Sequence, residues 1–205
     1  MYRSSSRIFP AIILTLVVVA LIIGLVIVGR SIFGATKPET EETEGITPQE
    51  ELLTVNASRA VRMTIRGPIV ADEEFRSYRV SVSPNARKYT VYKGYLDGVQ
   101  KQRAYDNNTQ AYEEFVYALD KAALTKKGRY TEEEASDIRG ICATGRVYEY
   151  ELLDGSSVLQ RYWTSTCKGS PGTLGASADQ LTALFTAQIP DKVDYKKHFG
   201  GGLSF

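Results

Sequence analysis

Apolar and polar residues follow two different regimes along this chain. Between Arg7 and Arg30 lie 22 residues without a charge, IFPAIILTLVVVALIIGLVIVG, with Thr15 the one hydroxyl among them. At about 1.5 Å per residue this run makes a helix of roughly 33 Å, enough for a hydrocarbon core of about 30 Å. In lipid every backbone polar group must be satisfied internally, so a single span must be helical. Pro10 falls in the first turn, where its missing N–H costs nothing. The run also exceeds the roughly 7–15 apolar residues of a signal-peptide core. The pattern therefore predicts an uncleaved transmembrane anchor over 8–29, with residues 1–7 as a cytoplasmic N-terminus. Arg3 and Arg7 before the span and Arg30 and Lys37 after it give nearly equal flanks. The short N-terminus and the downstream cysteines place the N-terminus inside and the rest outside.

From 30 to 52 the composition changes. Glu39, Glu41, Glu42, Glu44, Glu50 and Glu51 cluster with Pro38, Gly45 and Pro48. Like charges repel and the prolines interrupt helix, which predicts an extended acidic linker. An extracytoplasmic domain is then expected over 53–195, with a flexible tail at 196–205.

Within 53–195 the periods alternate between two and 3.6. Residues 60–66 alternate, with Val61, Met63 and Ile65 on one side and Arg62, Thr64 and Arg66 on the other, the mark of a half-buried strand. Residues 77–83 repeat this with Tyr78, Val80 and Val82, and Ser83-Pro84-Asn85 makes a turn. A strand at 88–95 leads to Asp97-Gly98, a hairpin signal, and a fourth strand at 99–105. A helix follows, capped by Asn107 or Asn108, with Tyr112, Phe115, Val116, Leu119 and Ala123 on one face and a stop at Lys126-Lys127-Gly128. Thr131-x-x-Glu134 and Ser177-x-x-Gln180 are capping boxes for two more helices. The last carries Leu181, Leu184, Phe185 and Ile189 and stops before Pro190. The predicted fold class is α+β: an antiparallel sheet of about six strands with two or three helices on one face, a two-layer sandwich.

The two cysteines carry the sharpest geometric expectation. Segments 141–153 and 156–167 flank Asp154-Gly155. A two-residue loop there sets Leu153 opposite Ser156. Continued along the ladder, it sets Cys142 opposite Cys167. That position is a non-hydrogen-bonded pair with Cα atoms about 4.5 Å apart, inside the range a disulfide accepts. The same register puts Tyr148, Tyr150, Leu152, Leu159 and Trp163 on the cysteine face and Glu149, Glu151, Gln160 and Thr164 on the other. It sets Arg146 against Trp163 and Arg161 against Tyr148, as cation–π pairs. A bulge at Gly145 would shift this register by one.

Composition bounds the chemistry. The 205 residues hold 25 Lys and Arg against 24 Asp and Glu, a formal net charge of +1. Such balance predicts no specific nucleic-acid binding. Two cysteines and one histidine leave little for a zinc site, and no metal or cofactor is expected. Trp163-Thr164-Ser165-Thr166-Cys167 resembles, over five residues, the strand-end cysteine of sortase-like transpeptidases. The resemblance implies a thiol nucleophile activated by histidine, and the one histidine is His198, in the polar tail. Ser165-x-x-Lys168 matches a pattern that works at a helix start, but it falls on a predicted strand.

A possible ligand-binding surface interleaves Arg87, Lys88, Tyr92, Lys93, Lys101 and Arg103 with Tyr89, Tyr95 and Tyr105, suited to an anionic or carbohydrate polymer. The bland reading puts Tyr89 and Val91 in the core and leaves the cations as a solvated face. The leading expectation is a membrane-anchored, non-catalytic binding module whose partner is an envelope protein or polymer. The alternatives are a pilin-like structural subunit of an envelope assembly and a cell-envelope enzyme with a cysteine nucleophile.

Overall fold

A computed structural model describes residues 46–128, 137–169 and 172–191. Outside the described residues lie the predicted anchor at 8–29 with its flanks, most of the acidic linker, the helix expected from Thr131 and the tail 196–205. Among the described residues no helix is long and apolar enough to cross a membrane.

The order is α1 (Pro48–Leu53), β1 (Arg59–Arg66), β2 (Arg76–Val82), β3 (Ala86–Lys93), β4 (Gly98–Asp106), α2 (Thr109–Lys121), β5 (Val147–Asp154), β6 (Ser157–Ser165) and α3 (Ala178–Ala187). The strands form one antiparallel six-stranded sheet in the order β4-β3-β2-β1-β5-β6. The fold class is α+β. Short connections force each of β1 to β4 to pair with its neighbour in sequence. The β5–β6 hairpin then adds on the free side of β1, which becomes a central strand.

Alternation along the strands sorts the side chains. Val61, Met63 and Ile65 of β1 lie opposite Val82, Val80 and Tyr78 of β2 and opposite Leu152, Tyr150 and Tyr148 of β5. All of these join one buried cluster with Leu52 of α1, Phe115 and Leu119 of α2, and Leu181 and Phe185 of α3. Phe185 meets Phe115 edge-on at 5.2 Å and tilts over Tyr150 at 5.9 Å, tying both long helices to β5. The Tyr150 hydroxyl bonds the Ala178 carbonyl and the Thr182 hydroxyl, both at 3.1 Å. Tyr78 and Tyr112 are so enclosed that burial pushes their phenols well above the usual range.

Several expectations need correction. Residues 48–52, assigned to the extended linker, are helical. Thr47 caps α1 in a full capping box with Glu50, Pro48 is at the first helical position, and Leu52 is 1% exposed in the core. The proline taken as a helix breaker is here a helix starter. The packed unit accordingly begins at Ile46 rather than 53. Helix α2 ends at Lys121, five residues before the Lys126-Lys127-Gly128 signal. Ala123 takes the left-handed conformation (φ 59°), Leu124 N–H bonds the Leu119 carbonyl at 3.1 Å and Ala123 N–H bonds that of Asp120 at 2.8 Å. This is a Schellman ending with alanine where glycine is usual. The β3–β4 loop is Gly94–Asp97, and Gly98 already pairs with Lys93.

The largest correction concerns the β5–β6 register. The loop is Gly155-Ser156, with Asp154 opposite Ser157. A bulge then shifts the ladder, so that Leu152 faces Gln160 and Tyr150 faces Tyr162. Trp163 therefore lies opposite Glu149, and Arg161 opposite Glu151, in place of the predicted Arg146–Trp163 and Arg161–Tyr148 pairs. Cys142 lies outside the ladder, which starts at Val147. The disulfide forms nonetheless, with Cα atoms 5.5 Å apart, because residues 142–145 fold back beside the end of β6. A Cβ on Gly145 would stand 2.7 Å from Cys142 Sγ and collide with Thr166, so only glycine fits this return.

Candidate functional site

The sheet face away from the core receives no described helix. In its centre, Arg62 of β1 donates through Nε to Glu151 of β5 at 2.6 Å. That hydrogen bond raises the Arg62 pKa further. Glu149 accepts from Arg161 of β6 at 3.1 Å and lies 3.6 Å from Arg66 Nη2. Arg79 of β2 donates to Thr64 at 3.2 Å and to the Tyr92 hydroxyl at 3.2 Å, and its guanidinium stands 5.0 Å from the Tyr92 ring centre. Asp97 is 4.0 Å from Arg79. Four arginines thus meet Glu149, Glu151 and Asp97, leaving a positive surplus to which exposed Lys88 adds.

At one end of this face the connection 67–75, the loop 94–97 and the segment 137–146 enclose a cleft of about 220 Å³. Ile69, Phe75, Tyr95, Ile138, Ile141 and Val147 supply apolar walls, with Arg66, Asp97, Arg139 and Cys142 among the other lining residues. Phe75 stacks on Tyr95 at 4.1 Å, and the Tyr95 hydroxyl donates to the Val70 carbonyl at 2.7 Å. Ile69 N–H reaches the Ala143 carbonyl at 2.8 Å, so the disulfide segment is tied to the β1–β2 connection. Below it, Cys142, Val147 and Trp163 form a second small core with Ile138, Ile141 and Cys167.

The surface read from the sequence is divided by strand alternation. Lys88 and Tyr92 lie on the helix-free face. Arg87 lies opposite Val82 and spends its guanidinium on backbone carbonyls, with Nε and Nη2 on Asp106 at 3.1 and 2.8 Å and Nη1 on Gln188 at 3.3 Å. Lys101 and Arg103 pair with Val91 and Tyr89 on the core-facing side, Lys101 reaching over the Tyr89 ring at 5.6 Å. Lys93 is exposed at the strand end. Tyr89 and Val91 are fully buried, as the bland reading expects. Sequence reasoning did not single out Arg79 and Arg161 as a pair of positions on one face. Arg79 was legible in the outward phase of β2, whereas the predicted register set Arg161 against Tyr148 and only the observed one, with Arg161 opposite Glu151, puts it on the charged face.

Both sulfurs are consumed in the Cys142–Cys167 disulfide. Cys167 therefore offers no thiol nucleophile, and the transpeptidase-like reading loses its reactive atom. Ser165 ends β6 and accepts from Cys167 N–H at 3.2 Å, away from any helix start. Among the described residues no three His, Cys, Asp or Glu side chains gather. No protein-family model matches this chain, and no curated protein matches it.

Proposed function

We propose that this protein is a single-pass, membrane-anchored, non-catalytic binding module whose outer domain engages an anionic polymer of the cell envelope. The anchor is the apolar run 8–29, with the N-terminus cytoplasmic. The Cys142–Cys167 disulfide supports an oxidising location for the domain. The observation that carries the binding reading is the helix-free face, where Arg62, Arg66, Arg79 and Arg161 outnumber their carboxylate partners beside Tyr92 and Lys88. Guanidinium groups recognise carboxylate and phosphate oxygens through paired donors, and a tyrosine ring adds a stacking surface. This moves the binding surface from β3–β4, where the sequence placed it, to the middle of the sheet.

The test uses the full chain. Membrane fractionation with external protease should leave it membrane-bound and remove the outer domain. Lys88→Glu with Arg79→Gln should then weaken sedimentation with anionic envelope polymer while leaving Arg62 and Glu151 paired. Unchanged sedimentation removes the polymer reading, and recovery of the intact chain in the cytosol removes the anchor.

A further inference from the structure

We infer that the cleft beside the disulfide binds a compact apolar acid, its aromatic or branched body seated among Ile69, Phe75, Tyr95 and Ile141 and its carboxylate on Arg66. This names a ligand class for the proposed binding module and rests on that reading; Arg66 is shared with the charged face, so the acid–amide contrast on the unaltered chain is the arm that separates the two.

Among the described residues, the charge pattern around the cleft leaves one cation partly compensated. Arg139 is held by Asp137 through Nε at 2.8 and 3.0 Å and Nη2 at 2.5 Å. Asp72 accepts the Tyr95 N–H at 2.8 Å, and Asp97 faces Arg79. Glu149 is divided between Arg161 and Arg66, with Arg161 the nearer. Arg66 is therefore the partly compensated cation in the wall. Its Nε is enclosed, but the side chain as a whole is 34% exposed, which leaves part of the guanidinium open to an incoming acceptor. A carboxylate supplies both the acceptor and the charge.

Size and rigidity restrict the ligand further. The cleft is smaller than the roughly 300–1,000 Å³ pockets that take drug-sized molecules, so its occupant is small. Three otherwise independent segments are joined around it by the Tyr95–Val70 hydrogen bonds and the Ile69–Ala143 bond, and the disulfide ties one of them to the end of β6. Such preorganisation lowers the entropic cost of binding. Ile69 is 50% exposed and Tyr95 48%, so the walls open to solvent and a ligand has a path in.

The experiment is methyl NMR of the full chain in lipid nanodiscs, labelled at isoleucine and titrated to millimolar concentration with 3-phenylpropionate or its amide. Ile69, Ile138 and Ile141 report on the cleft, whereas Ile65 and Ile189 report on the core. We expect saturable shifts of the cleft methyls with the acid, and about tenfold weaker binding of the amide, as loss of a charge-assisted hydrogen bond implies. Arg66→Gln should abolish the preference for the acid while the Ile65 and Ile189 signals hold. Equal response to acid and amide, or no saturable shift at the three cleft methyls, overturns the inference. Should Arg66→Gln fail to fold, the acid–amide contrast on the unaltered chain still decides. Cleft shifts in a chain that ignores envelope polymer would sink the polymer reading and leave this one standing.

Discussion

Met63 and Thr64 are neighbours on β1, and both are almost wholly buried, at 0% and 1% exposure. They are buried by different means. Met63 lies between Val80 and Tyr150 under the helices. Thr64 lies between Arg79 and Glu149 on the face no described helix covers. Glu149 and Glu151, at 4% and 6%, are as enclosed as many core residues. On the core face burial removes apolar surface from water, and that gain is roughly proportional to area. On the other face arginine stems and guanidinium groups screen the carboxylates, and Coulomb attraction must offset the desolvation of both partners. Equal exposure therefore does not mean equal contribution. The core face holds the fold, whereas the charged face is paired at little net gain.

Truncation on the two faces should separate these roles. Met63→Ala removes a fully buried side chain from a packed layer and should cost about 2–5 kcal/mol, measured by urea unfolding. A loss within error of zero would break the assignment of this face as the core. Next, Cys142→Ser with Cys167→Ser releases a bridge spanning 25 residues on the opposite face. It should cost about 3 kcal/mol in the chain-entropy account. Because the bridge also pins the cleft wall, the Ile138 and Ile141 methyl signals should move more than those of Ile65. Glu149→Gln comes third. Its partners Arg66 and Arg161 are 34% and 33% exposed. Water therefore takes over part of the lost pairing, and the cost should be about 1–2 kcal/mol. A cost above that of Met63→Ala would reverse the comparison.

The β1–β4 half of the sheet was legible because its period-two pattern is unbroken. Val61, Met63, Ile65, Tyr78, Val80 and Val82 all went to the face their alternation implies. The β5–β6 hairpin was read correctly as a hairpin, with the right disulfide and the wrong register. Asp-Gly is a strong turn signal, yet Asp154 pairs with Ser157 and a bulge moves the rest. A bulge depends on how the hairpin docks on β1, which local sequence does not encode. Proximity of the cysteines survived because the turn at Gly145 restores by loop geometry what the register no longer provides. The charged face was half legible. Arg62, Thr64 and Arg66 were outward by phase, but their pairing with Glu149 and Glu151 required knowing that β5 sits beside β1. The cleft was not legible, since its walls come from three segments distant in sequence.

The smallest effect expected is also the one that sharpens the account of the cleft. Asp137 and Arg139 are exposed and two residues apart, so their pairing is local and adds nothing the global fold depends on. The Arg139 hydrogen bonds nevertheless hold the Asp137 carboxyl down to about 2. A carboxylate lowered in this way keeps its pairing above the ordinary value near 3.9 and loses it as pH falls through about 2. At neutral pH Arg139 is then committed to Asp137, and among the described lining residues Arg66 is the cation left to the cleft. A carboxyl-carbon NMR titration should place the Asp137 midpoint near 2, and Arg139→Gln should raise it part of the way toward about 3.9, because the backbone N–H of residue 139 still donates to it. If the unaltered chain already titrates in the ordinary range, the clasp is open. Arg139 then becomes a second cation at the cleft mouth, and Arg66→Gln should leave part of the preference for an acid intact.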